Sequence, residues 1–460
     1  MLTVSISFFF PADPFCKMLP TKLRVAVIGA GAAGLCAARH ILASSGTFAP
    51  PVVFEASDRL GGTWIYTEEK EDAMGRIIHS SMYRDLRTNL PKESMAFPDF
   101  PFDPSLPSFL HHSDVLTYLD SYAEQSGVCD HVRFQWQVEE VRPAQRDAGR
   151  LGGWEITASV QHPESTRQVT EHFDAVMVCT GHYTVPFIPP IPGLDTFQGR
   201  LLHSHSYRYP EPFANQSVVL VGAGPSGVDL ALQLSSVAAQ VVLSHKRQHV
   251  CGLPKDVIQM PPLLKVGQKT VVFTDGSKMP ADVLILCTGY KYSFPFLDLA
   301  QLGLQETDYG MGPLYQHLLP PQHPSLFLIG VCQQICPFPH FHCQVLFALA
   351  VLSGRCSLPS VADMEAEVQK QLGLYLKNGG LARYFLKLKE QQWSYMDNLA
   401  HLAGFPPVPP AVQQIYEDTH ASRLCNVSTY RSRNYRLLGP SAWELVQDWG
   451  ENCIKTGDSK

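Results

Sequence analysis

The sequence is poor in charged residues. Asp, Glu, Lys and Arg make up 17% of its 460 residues, against about 25% in an average soluble protein, while 45% are hydrophobic. A chain with so few charges and so much apolar surface is not disordered and folds around a sizeable core. Its length predicts about three ordinary domains or two large ones, which excludes a single small binding module.

The charges that are present form no basic run. Lys and Arg number 36 and Asp and Glu number 42, which gives a formal net charge of −6. A protein that follows a nucleic-acid backbone needs clustered cations. We therefore expect no nucleic-acid partner.

Cysteines and long apolar runs are also scarce. Twelve cysteines lie far below the roughly 8–10% share of a disulfide-stapled secreted domain, and reduced thiols are the simpler expectation. The longest apolar tract, at residues 345–352, is shorter than the ~18 residues of a membrane span. Residues 1–10 are apolar but no Lys or Arg precedes Lys17, which favours an extension over a secretory signal. We expect a cytoplasmic protein without a membrane anchor.

What the sequence does have is a repeated glycine pattern. Each copy directly follows a short apolar, β-branched run and opens a helix-like segment. In such a turn the first glycine permits the bend, the second admits a diphosphate and the third lets the helix pack on the strand. The two sets are Gly29, Gly31 and Gly34, then Gly222, Gly224 and Gly227. Two copies predict an α/β fold with two Rossmann-like dinucleotide-binding domains.

The residues after the second strand of each unit select the nucleotide. Glu55 follows the first such strand, and its carboxylate accepts hydrogen bonds from ribose hydroxyls, which favours FAD or NAD. Lys246 and Arg247 follow the corresponding strand of the second unit and supply cations for the 2′-phosphate of NADP. Ser244 stays an alternative phosphate ligand, and Ser226 belongs to the same expected site.

A further glycine turn lies close to the first nucleotide. It contains Gly62, Thr63 and Trp64, a few residues after Glu55, and suits a ligand as long as FAD. Trp64 either forms a wall beside the isoalloxazine ring or fills core.

Matched apolar segments at residues 174–181 and 282–289, one downstream of each glycine turn, support two dinucleotide-binding units. Proline-rich segments at 186–192 and 207–212 flank the entry to the second unit, and its exit lies near residue 290, which indicates that the smaller NADP unit is inserted in the larger FAD unit. The expected division is an extension at 1–21, FAD-binding parts at 22–207 and 293–445, an NADP-binding domain at 208–292 and a polar tail at 446–460.

The residues between the two units resemble the linker signature of flavin-containing monooxygenases. The matching positions are Phe197, Gly199, His203 and Tyr207. Baeyer-Villiger monooxygenases share this signature but usually close it with tryptophan. Further matches lie at residues 88–91, 97–102, 179–183, 287–290 and 351–359, so the resemblance covers roughly residues 22–360.

The resemblance implies a reaction. NADPH reduces FAD, the reduced flavin takes up O2 as a C4a-hydroperoxide, and the sulfur or nitrogen of a small molecule accepts one oxygen atom. It also implies that Asn89 lies beside the flavin, and the matching residues around it favour this role over the alternative of a simple loop turn. His203 and Tyr207 would couple the domains rather than act as acid and base.

Near residue 344 the sequence departs from the family. Gln344 keeps its place as an expected flavin contact, but His342 stands where the family often has Glu, and Phe347 where it often has Trp.

Several other functions compete with this interpretation. A Baeyer-Villiger enzyme or an NADPH oxidase of the same fold would share the glycine turns, and so would a non-catalytic flavoprotein that acts as a sensor or scaffold. A dithiol reductase would need a Cys-x-x-Cys motif, which the sequence lacks. The Cys- and His-rich segment at 332–343 has no four-ligand zinc spacing, so we expect no metal. Homo-oligomerisation stays open.

Overall fold

The computed structural model describes residues 22–69, 78, 80–144, 153–162, 165–246, 248–307 and 310–446. The predictions for the extension at 1–21, for Arg247 and for tail residues 447–460 lie outside the described residues.

The described residues form both β-strands and α-helices. The strands are β1 (Val25–Ile28), β2 (Val52–Glu55), β3 (Val132–Phe134), β4 (Trp136–Pro143), β5 (Trp154–His162), β6 (Ser165–Phe173), β7 (Ala175–Val178), β8 (Val185–Pro186), β9 (Arg200–His203), β10 (Ser217–Val221), β11 (Gln240–Ser244), β12 (Val257–Met260), β13 (Leu263–Val266), β14 (Thr270–Phe273), β15 (Lys278–Pro280), β16 (Val283–Leu286), β17 (Tyr290–Lys291), β18 (Gln305–Thr307), β19 (Gly310–Gly312), β20 (Leu326–Leu328), β21 (Tyr435–Gly439) and β22 (Ala442–Leu445). The helices are α1 (Ala32–Ala43), α2 (Lys92–Met95), α3 (His112–Gln125), α4 (Pro225–Leu234), α5 (Pro337–Leu352), α6 (Val361–Lys377), α7 (Gln391–Ala403) and α8 (Pro410–Cys425).

The first sheet is parallel, with the strand order β20-β7-β1-β2-β3. Its central strand β1 is buried on both faces. Val25 and Val27 pack into the core that includes α1 and α5, whereas Ala26 and Ile28 pack into a second core on the opposite face. This double burial explains why the strand is continuously apolar in the sequence.

The second sheet repeats the first. Its order is β12-β11-β10-β16-β9, and all its pairs are parallel. Strands β10, β11, β12 and β16 thus take the places that β1, β2, β3 and β7 have in the first sheet. Each unit also carries a three-stranded antiparallel sheet ahead of its fourth parallel strand, β4-β5-β6 in the first and β13-β14-β15 in the second. The predicted fold class, with two Rossmann-like units, is confirmed.

The edge strand beside the fourth parallel strand of each sheet shows how the units are nested. In the first sheet this edge strand is β20, which pairs with β7 and follows the whole second sheet in the chain. The second unit is therefore inserted in the first. In the second sheet this edge strand is β9, which pairs with β16 although it precedes residue 208. The exact domain boundaries stay predictions.

Helix α1 packs against the first sheet and α4 against the second, while α5 to α8 build the C-terminal part of the chain. Helix α5 packs against both α1 and α7. None of the helices in the described part of the chain is long and apolar enough to cross a membrane.

Gly34 sets how closely α1 approaches β1. A Cβ atom at this position would overlap the carbonyl oxygen of Gly29, which is backbone and cannot turn aside. We predict that Gly34→Ala lowers the free energy of unfolding by about 3 kcal/mol, because the helix must move off the strand. Urea unfolding of the FAD-loaded protein measures this. Gly46→Ala is the matched control, since its Cβ would meet nothing within 4 Å. Equal stability of the two variants would contradict the argument.

Candidate functional site

The first glycine turn has the geometry of a diphosphate cradle. Gly29 has a φ of +102°, and a Cβ there would lie 2.7 Å from the carbonyl oxygen of Cys179. Gly31 is the N-cap of α1, and no side chain caps this helix end. The backbone N–H groups of the first turn of α1 therefore face outward without a side-chain acceptor, which suits an anionic group.

The turn at Gly62 closes over the first one. A Cβ on Gly62 would lie 2.9 Å from the Cα atom of Gly31, so the two backbones are in close contact. Gly62 and Thr63 are exposed, and the Thr63 hydroxyl lies 3.2 Å from that of Ser81. Trp64 is half-buried and packs edge-on against Phe338. The expected neighbours of a long nucleotide are thus placed together.

Glu55 lies at the end of β2 beside the first glycine turn. Its Oε2 accepts a hydrogen bond from the Ala30 N–H at 2.7 Å, and its Oε1 accepts bonds from the N–H and hydroxyl of Ser57 at 2.8 Å each. These bonds hold the half-buried carboxylate against the turn. A carboxylate oxygen has room for a further donor, so the arrangement fits a ribose hydroxyl.

The second turn repeats this geometry. Gly222 has a φ of +108°, and a Cβ on it would lie 2.6 Å from the carbonyl oxygen of Cys287. A Cβ on Gly227 would overlap the carbonyl oxygen of Gly222, as in the first turn, whereas one on Gly224 would meet nothing within 4 Å. Gly224 is also an N-cap without a side-chain cap, and Ser226 lies half-buried in the first turn of α4. This cradle, too, is open for a diphosphate.

The candidates for the 2′-phosphate differ in their availability. The hydroxyl of Ser244 is buried and donates to the Pro261 carbonyl at 2.9 Å, so it is already engaged within the protein. Lys246 is exposed, and Arg247 lies outside the described residues. Among Ser244, Lys246 and Arg247, Lys246 is therefore the cation that lies within the described residues.

The linker signature is built into the second unit. Phe197 packs in the core beneath the second sheet, and a Cβ on Gly199 would lie too close to the Asp282 carbonyl. His203 ends β9, and its Nδ1 accepts a bond from the His205 N–H; burial lowers the pKa of His203. Tyr207 is fully buried and donates to Gln233 of α4 at 2.9 Å.

Asn89 lies in the loop before α2 and is half-buried. In the described part of the chain no group forms a hydrogen bond with its side chain. The preceding residue is fixed more firmly: the Thr88 N–H donates to the Leu110 carbonyl, and the Leu110 N–H donates to the Thr88 hydroxyl. The loop is thus rigid, while the Asn89 amide stays available.

An ion pair that the sequence did not suggest, with 15% and 14% of its two side chains exposed, ties this loop to the second unit. The Arg431 guanidinium donates to both carboxylate oxygens of Asp229, in α4, at 3.0 and 2.9 Å. Its Nε donates to the Thr88 carbonyl at 2.9 Å, and the Tyr83 hydroxyl donates to Asp229 at 2.7 Å. Three separate chain segments therefore meet at one carboxylate, and we call this group the Asp229 cluster.

Gln344, Phe347 and His342 lie in α5 and pack against other parts of the protein. Gln344 is fully buried: its side-chain oxygen accepts from the Gly330 N–H, and its amide donates to the Tyr395 hydroxyl. Phe347 is fully buried in the core. His342 lies against His40 of α1, with 3.1 Å between the ring nitrogens. The assignment of Gln344 to the flavin stays a prediction.

Comparison with known proteins shows which family the chain matches. A model described as flavin-binding monooxygenase-like matches residues 22–251 and 250–449. The Arabidopsis thaliana flavin-containing monooxygenase FMO GS-OX4 is 37% identical over 451 residues, which covers 94% of this chain and 92% of the relative.

Solved structures agree with this match. The S-allyl-L-cysteine S-oxygenase from Allium sativum superposes with a TM-score of 0.81 at 34% identity, covering 90% of this chain and 95% of its own. The protein Tmm from Pelagibacter sp. strain HTCC7211 gives 0.79 at 28% identity, with 94% and 98% covered. Cyclohexanone monooxygenase, at 15% identity and a TM-score of 0.59, shares the fold alone.

The Asp229 cluster gives a stability prediction. We expect Asp229→Leu to lower the free energy of unfolding by about 3 kcal/mol, because it leaves the Arg431 charge buried without a counter-ion. The double variant Asp229→Leu/Arg431→Met should recover most of this loss, since neither charge is then stranded. Chemical unfolding of the singles and the double measures the coupling.

Arg436→Ala is the control for that experiment, because Arg436 pairs with Glu444 at the surface, with 58% and 44% of the two side chains exposed. Its effect should stay below about 1 kcal/mol. Strictly additive losses in the Asp229 and Arg431 variants would show that the two side chains are not energetically coupled.

Proposed function

The chain belongs to the flavin-binding monooxygenase family, NADPH-dependent oxidoreductases with FAD and NADPH as cofactors, and from this premise we propose that it transfers one oxygen atom from O2 to the soft nucleophilic sulfur or nitrogen of a small molecule. The observation that carries the proposal is the pair of open glycine cradles in one chain. One has an acid, Glu55, at the end of its second strand, and the other has a base, Lys246, two residues after the corresponding strand of its repeat.

The two cradles divide the cofactors between the units. The N-terminal end of α1, with Gly31 and Gly62 in close contact, suits the diphosphate of FAD, and the carboxylate of Glu55 suits its adenosine ribose. The N-terminal end of α4, open at Gly224, suits the diphosphate of NADPH. Lys246, together with Arg247, supplies positive charge for the 2′-phosphate.

The cofactor supplies the redox chemistry when it is bound: FAD accepts a hydride from NADPH and activates O2 for transfer to the substrate. The protein must then orient the two nucleotides and exclude water. Asn89 offers a side-chain amide, free of hydrogen bonds to described groups, on a loop held by Arg431. We assign it to a hydrogen bond with the bound cofactor or with the oxygen being transferred.

The Asp229 cluster joins the first unit to α4 of the second unit, and the linker, which is built into the second unit, positions the same helix through Tyr207. Tyr207 binds Gln233, and Tyr83 and Arg431 bind Asp229, so α4 is held from two sides. These residues orient the NADPH unit, and no acid or base among them is needed for oxygen transfer.

Sulfur is the nucleophile that we place first. The S-oxygenase from Allium sativum is 34% identical over 90% of this chain, a closer similarity than that to cyclohexanone monooxygenase at 15%. A thioether is therefore a better first substrate than a ketone. The cytoplasmic location expected from cysteine usage stays a prediction, as does any oligomer.

Turnover under air tests the reaction class. We expect the FAD-loaded protein to consume NADPH and to form sulfoxide from an alkyl aryl thioether in nearly equal amounts, with an N-oxide from a tertiary amine as the comparison. Product is measured by chromatography and hydrogen peroxide in parallel. Peroxide without oxygenated product would identify an oxidase. A flavin that NADPH does not bleach would favour the non-catalytic sensor or scaffold.

Asn89→Ala tests the role of the side-chain amide. We expect FAD content to stay unchanged while NADPH consumption is diverted from sulfoxide to peroxide, lowering the product yield per NADPH by roughly tenfold, the effect of one lost hydrogen bond at a reacting centre. Asn378→Ala, at an exposed helix end, is the control. An unchanged product-to-peroxide ratio would remove Asn89 from the site.

Removal of the basic residues tests cofactor selection. Lys246→Ala and Arg247→Ala should each raise KM for NADPH by about tenfold and leave KM for NADH nearly unchanged, because each loses a charge-assisted bond to the 2′-phosphate. Lys278→Ala, an exposed lysine on β15 of the same unit, controls for net charge. If a variant raises KM for NADPH and KM for NADH equally, the residue that it replaces is not a ligand of the 2′-phosphate.

A further inference from the structure

Helix α1 carries two potential metal ligands one turn apart, on the face that packs against α5. Cys36 and His40 are four residues apart, so their side chains lie on one side of the helix. His342 of α5 faces them, and Asp99, in the loop after α2, lies beside both histidines. Three separate segments of the chain thus bring a thiol, two imidazoles and a carboxylate to one place.

The distances match those of a compact coordination sphere. The ligand atoms of Cys36, His40 and His342 all lie within 4.8 Å of one another, and the two histidine nitrogens are 3.1 Å apart. The Asp99 oxygens lie 3.7 Å from His342 Nδ1 and 4.0 Å from His40 Nε2. Four ligands around a tetrahedral zinc ion lie roughly 3.3–3.7 Å from one another. The two imidazole nitrogens are already this close, and the 4.8 Å separation within the group must shorten by about 1 Å before all three ligand atoms reach one ion.

The cluster also has the burial pattern of a binding site. Cys36 is fully buried at its base, the histidines are about nine-tenths buried, and Asp99 is 31% exposed at its mouth. Arg39 binds one carboxylate oxygen of Asp99 at 3.0 Å, and the other oxygen lies nearest His342. That bond orients the carboxylate, as outer partners of metal ligands commonly do.

We propose that Cys36, His40, His342 and Asp99 form a binding site for a divalent transition-metal ion of the zinc class, separate from both glycine cradles. Binding forms a metal–sulfur bond and breaks the S–H bond, and it releases one proton to solvent without electron transfer. The histidine that donates in the His40–His342 contact shifts its proton to the ring nitrogen that faces away from the ion, and the other histidine already carries its proton on that side. The metal joins α1 to α5 and stabilises the fold; it takes no part in oxygen transfer.

A hydrogen bond between the two histidines is the competing explanation of their contact. It would account for the 3.1 Å distance, and the ion pair with Arg39 would account for the position of Asp99. It also predicts that added metal neither binds tightly nor raises the melting temperature. The two explanations therefore separate in one titration.

The experiment uses the full-length, FAD-loaded protein with any histidine tag removed, treated with a chelator and then dialysed. We expect Zn2+ to bind at one equivalent per chain by calorimetry and elemental analysis and to raise the melting temperature. Co2+ in place of Zn2+ should give the absorption of thiolate-to-cobalt charge transfer, which reports the bond to sulfur directly.

Two variants and a control locate the site. Cys36→Ala and His342→Gln should each weaken Zn2+ binding by roughly 100-fold or more, and Cys36→Ala should also abolish the charge-transfer band. Cys332→Ala removes a buried thiol outside the cluster and should bind as the parent does. The proposal is overturned if the parent binds no stoichiometric Zn2+, or if His342→Gln binds it as tightly as the parent. The parent's cobalt spectrum decides the thiolate ligand even if Cys36→Ala fails to fold.

Discussion

The contact between the third and the first glycine of each turn is the constraint on which the rest of the structure depends. Gly34 lies against the Gly29 carbonyl and Gly227 against the Gly222 carbonyl, at a separation that excludes any side chain. This contact holds the first turn of each helix close to the end of the preceding strand. It leaves the N–H groups of that turn open to an anion. The carbonyls of Cys179 and Cys287 then pack on the first glycines, so the fourth strand of each sheet is fixed by the same turn.

The features that the sequence predicted are those whose signals are local. Glycine spacing, apolar strands and the residue after each second strand lie within short windows, and from them followed the fold class, the nesting of the units and the placement of Glu55 beside its turn. The Asp229 cluster and the contact of His40 with His342 had no such signal. Their partners are 202 and 302 residues apart, and single charged or imidazole side chains carry no periodicity that links them.

The two departures from the family pattern show the same limit. His342 and Phe347 were interpreted through the flavin, because the resemblance gives positions and not contacts. Phe347 is fully buried in the core, where an aromatic ring fills volume. His342 faces α1 rather than either glycine cradle, and its character is set by His40 and Asp99. A substitution at a matched position thus acquires its meaning from its neighbours in space.

The ion pair of the Asp229 cluster is best explained by its effect on the orientation of the two units. A well-packed apolar pair in its place would commonly give equal stability, so the ion pair is weak evidence for stabilisation. Its donors and acceptors are satisfied together only in one arrangement of Thr88, Tyr83 and Asp229. Hydride transfer needs the nicotinamide and the flavin at contact distance, although they are held by different units. An interaction that is broken when α4 shifts is therefore suited to the boundary between those units. The Arg431 guanidinium also holds the loop that carries Asn89, through its bond to the Thr88 carbonyl.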